Sequence, residues 1–140
     1  FFLHGPAGTG KSAIAHTIGK QCKDQGFLGA FFHFGRTFST EWTQSKALQS
    51  MAYNMAMNLP EFRSYLSELL DKDPFVAGST SFQEQWEKLI LKPAQLVYNT
   101  KPAVIIVDAL DECGPQEGNG PQRQFLAAII EGTQKLPSKF

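Results

Sequence analysis

The eight residues Gly5, Pro6, Ala7, Gly8, Thr9, Gly10, Lys11 and Ser12 constrain this chain more than any other stretch. They read G-x-x-x-x-G-K-S, the Walker A pattern, whose meaning depends on a strand before it and a helix after it. Both are expected here. Phe1 to His4 is apolar and reads as the end of a strand, while Ile14, Ile18 and Cys22 recur at helical spacing over residues 12–22. Phosphate oxygens need several backbone N–H donors converging on a small volume, which a glycine-rich turn allows. The helix behind it adds the partial positive charge of its N-terminus. Lys11 places a cation on the β- and γ-phosphates, the Ser12 hydroxyl can ligate Mg²⁺, and Pro6, Ala7 and Thr9 complete the cradle.

The 140 residues suffice for one domain with a core, and 42% of them are hydrophobic. Thirteen basic and thirteen acidic residues cancel and are scattered. No basic face therefore points to nucleic acid or to an anionic membrane. No apolar run approaches the roughly 18 residues that cross a bilayer, and no secretory signal peptide is visible. Cys22 and Cys113 are far apart and lack a C-x-x-C partner. We expect both to be reduced, small, buried residues of a cytoplasmic protein.

Further along, residues 27–34 form a nearly continuous apolar run, as a strand covered on both faces would. His33 within it reads as a hydrogen-bonded core histidine, and Arg36 beyond it as solvated or carboxylate-paired. Leu48, Met51, Ala52, Met55 and Leu59 have helical spacing. Pro60 can start a second helix carrying Phe62, Tyr65, Leu66, Leu69 and Leu70, which Asp73 and Pro74 close. Ser81 with Glu84 has capping-box spacing ahead of Phe82, Trp86, Leu89 and Ile90, and Pro93 should kink or end that helix. Ala103 to Val107 is a pure aliphatic run dominated by β-branched residues, a buried parallel strand. Residues 114–121 read as a loop, and Pro121 as the start of a last helix with Phe125, Leu126, Ile129, Ile130 and Leu136. The final Pro137 to Phe140 reads as a turn towards another strand. Strands alternating with helices, without internal repeats, predict an α/β parallel sheet.

The strand at 103–107 delivers Asp108 at its C-terminal end, the Walker B arrangement, in which the carboxylate holds the Mg²⁺ that bridges the phosphates. Asp111 and Glu112 lie on the turn beyond, where one can polarise the attacking water; we favour Glu112 over Asp111 as base. Asp111 to Gly114 also fits the D-x-x-G element of GTPases, but two fixed residues are a weak signal, and the carboxylate at the strand end is Asp108.

With both elements in hand, the chain resembles the NACHT-type signalling NTPases of the STAND, NLR-like class. It is most similar to the nephrocystin-like N-terminal modules abundant in large fungal receptor-like proteins. Residues 2–12, 31–36, 72–74 and 107–113 carry the resemblance. It implies a three-layer α/β/α P-loop NTPase domain, of which residues 1–140 are the N-terminal part, with the first three core strands and their helices. It also implies binding of ATP, or less readily GTP, with Mg²⁺, slow or no hydrolysis, and nucleotide-gated self-association through the complete domain. Effector and repeat domains stand in cis in such proteins, whose signalling resembles innate immunity. In the family's sheet the fourth strand lies between the first and third. These 140 residues stop before it, so we expect the piece to be poorly stable alone. Two other classes are weighed: a catalytically silent nucleotide-binding scaffold, and a P-loop kinase acting on a small molecule. The kinase needs lid arginines, and residues 43–99 offer only Arg63.

Overall fold

The computed structural model describes residues 1–34, 44–79, 81–98, 101–110, 127 and 129–140. Over these the chain is a mixed α/β unit with a two-stranded parallel sheet. Its elements in order are α1 (Lys11–Asp24), β1 (Leu28–His33), α2 (Gln44–Asn58), α3 (Pro60–Lys72), a 3-10 turn (Pro74–Gly78), α4 (Phe82–Gln85), a π-helical segment (Trp86–Leu91), α5 (Lys92–Leu96) and β2 (Val104–Asp108).

β1 and β2 pair in parallel, with Phe31 beside Ile106 and His33 beside Asp108. The register shifts between Leu28 and Ala30, and the amide of Asn58 on α2 donates to the Gly29 carbonyl there, at 3.1 Å. Side chains alternate along β1. Ala30, Phe32 and Phe34 are buried with α2 and α3, beside Leu48, Met55 and Phe62. Phe31 and His33 face the other way, towards α1, where the His16 and Phe31 rings lie 4.7 Å apart. One face of the sheet thus carries the core and the other carries α1.

The helix starts follow local chemistry. Pro60 occupies the first turn of α3, where its missing N–H has no intrahelical partner to lose. Ser81 Oγ accepts from the Glu84 N–H at 3.3 Å, as the capping spacing requires, but the Glu84 carboxylate accepts from the Ser79 hydroxyl at 2.7 Å. Pro93 does not end its helix: the helical run continues to Leu96, with the π-helical segment immediately ahead of the proline. A widened turn accommodates a residue that cannot donate an i→i−4 bond.

Several expectations are corrected. Phe1 to His4 forms no strand and is exposed, Phe1 fully. Among the described residues there are two core strands, not three. An extended segment stays out of a sheet when no backbone lies beside it to take its N–H and C=O groups. Val104 to Val107 are half-buried, where a fully covered strand was expected, and Ile14 and Ile18 on α1 are exposed at 46% and 41%. Cys22 is partly exposed, not buried. Arg36, Cys113, the loop at 114–121, Phe125 and Leu126 lie outside the described residues. The expected turn at the end is present, with the Phe140 N–H bonded to the Pro137 carbonyl at 2.9 Å. Just before it, the Lys139 carbonyl accepts from the Ala103 N–H at 2.7 Å, whereas the next N–H, of Val104, points to Phe27 on the β1 side. Successive strand amides point to opposite sides, so Lys139 lies beside the start of β2 on the side away from Phe27.

Trp86 is 3% exposed and lies against Gly132, where an added Cβ would overlap Nε1 and Cε2 of the indole. Gly132→Ala is therefore expected to destabilise the fold by about 1–3 kcal/mol, the usual cost of overpacking a rigid neighbour. Urea unfolding followed by Trp fluorescence measures it; an unchanged midpoint would show that the indole moves aside freely.

Candidate functional site

The glycine loop and the C-terminal end of β2 meet at one corner of the molecule. Gly8 and Gly10 have φ of +79° and +85°, a left-handed conformation that side chains disfavour. These two residues turn the chain into α1, whose first bond runs from the Ile14 N–H to the Gly10 carbonyl at 3.0 Å. The N–H groups of the first helical turn have no intrahelical partners and open onto the exposed loop. Thr9 Oγ1 donates to the Pro6 carbonyl at 2.9 Å, and Lys11 Nζ folds back to donate to the Gly5 and Pro6 carbonyls at 2.8 and 2.9 Å. The lysine cation thus sits over the loop, on carbonyls that any stronger anionic acceptor would replace.

Asp108 is the buried charged centre. Its Oδ1 accepts from the Ser12 hydroxyl at 3.2 Å and from the Ala109 N–H at 2.9 Å, and its Oδ2 lies 3.0 Å from His33 Nδ1. A carboxylate only accepts, so Nδ1 carries the proton. Burial pushes the Asp108 carboxyl up, but the bonds from His33, Ser12 and Ala109 together outweigh it and hold the group below the usual aspartate range. Ala109 has φ +54°, an uncommon conformation for a residue with a Cβ.

The sequence reading placed Ser12 and Asp108 on one site, and the fold brings these two residues together across 96 positions of chain. Gly5 to Gly10 all lie exposed at the same corner. Asp111 and Glu112 lie outside the described residues. His33 is corrected: its side chain is 45% exposed and bonded to Asp108, not a core histidine. Its position in β1 puts it on the α1 face, and parallel pairing sets it beside Asp108. His16, one turn beyond Ser12 on α1, escaped the reading altogether. Its spacing of i+4 from Ser12 was the signal that could have found it.

The model of the family described as "Nephrocystin 3, N-terminal" matches residues 1–140, the whole chain. The chain belongs to the nephrocystin-3 N-terminal family. No curated protein and no solved structure matches it. Membership places the chain in a NACHT-like region, and within the nephrocystin-3 N-terminal match fall both the glycine loop and Asp108. Among the described residues no helix is long and apolar enough to cross a membrane.

Proposed function

We propose that this chain is the nucleotide-binding part of a P-loop NTPase module of the STAND type, acting as a switch in a larger cytoplasmic, NLR-like protein of the fungal kind. The observation that carries the reading is the Ser12 hydroxyl set 3.2 Å from Asp108 Oδ1 beside an exposed glycine loop and its lysine. Two hard oxygens at that separation suit adjacent positions on a small octahedral cation, whose bonds are about 2.1 Å. Ser12 and Asp108 would hold Mg²⁺, which when bound offsets the negative charge of the phosphates.

In this reading Gly5, Pro6, Ala7, Gly8, Thr9 and Gly10 wrap the phosphates, and Lys11 exchanges the Gly5 and Pro6 carbonyls for phosphate oxygens. The family resemblance favours ATP over GTP, and implies self-association of the complete domain, governed by the nucleotide and coupled to effector and repeat domains in cis. Titration of the chain with a fluorescent ATP analogue, with and without Mg²⁺, tests the reading. Saturable binding strengthened by Mg²⁺ is expected, and its absence would refute it.

Hydrolysis, where it occurs, is assigned to Glu112 polarising water, with Asp111 as the alternative base. Glu112→Gln is expected to retain nucleotide affinity within about threefold while lowering phosphate release by roughly 100-fold, the scale of lost general-base catalysis. Unchanged release would move the assignment to Asp111. The silent scaffold predicts no release from the wild-type chain either.

A further inference from the structure

His16 on α1, His33 at the end of β1 and Asp108 at the end of β2 converge on the face of the sheet that carries α1. One ligand atom from each lies within 4.8 Å of the others. Neither histidine is part of the nucleotide reading. Both are exposed, so a metal ion and its remaining water ligands can reach them, while Asp108 is buried and held in place. The pair His33 Nδ1 and Asp108 Oδ2 is 3.0 Å apart. That is about the separation of neighbouring donors around an ion with bonds near 2.1 Å. The His16 and His33 rings, with centroids 6.2 Å apart, flank the same point.

We propose that His16, His33 and Asp108 form a binding site for a divalent transition-metal ion of the zinc class. Two imidazoles and one carboxylate are a borderline-soft donor set, which suits Zn²⁺, Co²⁺ or Ni²⁺ far better than Mg²⁺. The ion enters where the His33 proton now bridges to Asp108 and releases that proton to solvent, as metal binding to imidazole requires. Three protein ligands leave further positions for water, in an open site rather than a closed structural one. The two oxygens of Asp108 face different partners: Oδ1 faces Ser12, and Oδ2 faces the imidazole. The site therefore ties α1, β1 and β2 together, through two histidines outside residues 5–12 and a carboxylate whose other oxygen faces Ser12. It does not rest on nucleotide binding.

The test is Co²⁺ titration of the untagged chain, read by visible absorption, with Zn²⁺ competition and the melting temperature as second readouts. The wild-type chain is expected to take up one Co²⁺, without the intense thiolate charge-transfer band that Cys22 would give, and to melt higher with Zn²⁺. His16→Ala and His33→Ala are each expected to weaken uptake by at least about 10-fold, since losing a ligand costs no less than losing its supporting bond. Both positions are exposed, and circular dichroism checks that each variant is folded. His4→Ala, outside the cluster, is expected to bind as wild type does. Lys11→Ala, which tests the nucleotide reading, should also keep its Co²⁺, so that either idea can fail alone. No uptake by the wild-type chain, or folded His16→Ala and His33→Ala variants that bind as it does, would overturn the proposal.

Discussion

Lys11→Ala will weaken binding of Mg²⁺–ATP by about 100-fold or more, with little change in the melting of the protein. The affinity loss follows from charge. A hydrogen bond to a charged group contributes about 1.5–3 kcal/mol, and the ammonium is expected to reach two phosphates, so losing it removes on the order of 3 kcal/mol. The small effect on stability follows from geometry. Among the described residues Lys11 Nζ donates to the exposed Gly5 and Pro6 carbonyls, which water can serve as well. Calorimetric titration against thermal denaturation separates the two quantities. Equal affinity in variant and wild type would mean that the glycine loop is a turn and not a phosphate cradle.

The second large effect is expected at Asp108. Asp108→Asn will remove the gain in nucleotide affinity that Mg²⁺ brings, so that the ratio of Kd without and with Mg²⁺ falls to about one. An amide oxygen is uncharged and holds a hard cation far more weakly than a carboxylate does. The fold should survive the change. Asn keeps an acceptor for Ser12 and Ala109, and its NH2 group can donate to His33 once the imidazole proton moves to the other ring nitrogen. Three charge-assisted bonds become ordinary ones, at a cost of about 1–2 kcal/mol near neutral pH.

That cost depends on pH in a definite direction. The folded carboxyl titrates below its unfolded value, so the folded state binds fewer protons, and its contribution is fully present above the unfolded aspartate value near pH 4. It is lost as pH falls through the lower, folded value. Melting curves of wild type and Asp108→Asn should therefore differ at pH 7 and converge in acid. A gap that persists below the folded value would mean that packing, and not charge, separates them. A Mg²⁺ effect retained in the variant would take the metal assignment away from Asp108.

How far the sequence could be read varies with the range of the signal. Helices α2 and α3 were legible from Leu48, Met51, Met55, Phe62 and Leu66, because helical spacing writes burial into neighbouring turns. Pro60 marked a helix start, as local chemistry allows. Pro93 was half legible: a proline forbids one hydrogen bond, but whether the helix stops or widens depends on what packs around it. Phe1 to His4 misled because apolar composition says only that a segment suits a sheet. It does not say that a neighbouring backbone is there to pair with.

For the candidate site the division is similar. The residues alone specified the glycine loop, the lysine and serine that follow it, and a carboxylate at the end of an aliphatic strand. Each of these depends on neighbours in sequence, through glycine's conformational freedom and the chemistry of a strand's end. Packing was needed to show that Ser12 faces Asp108, that His33 stands in register beside it, and that His16 completes a second cluster of donors. Register and the approach of a helix to a sheet are set by non-local contacts, which no spacing along the chain encodes.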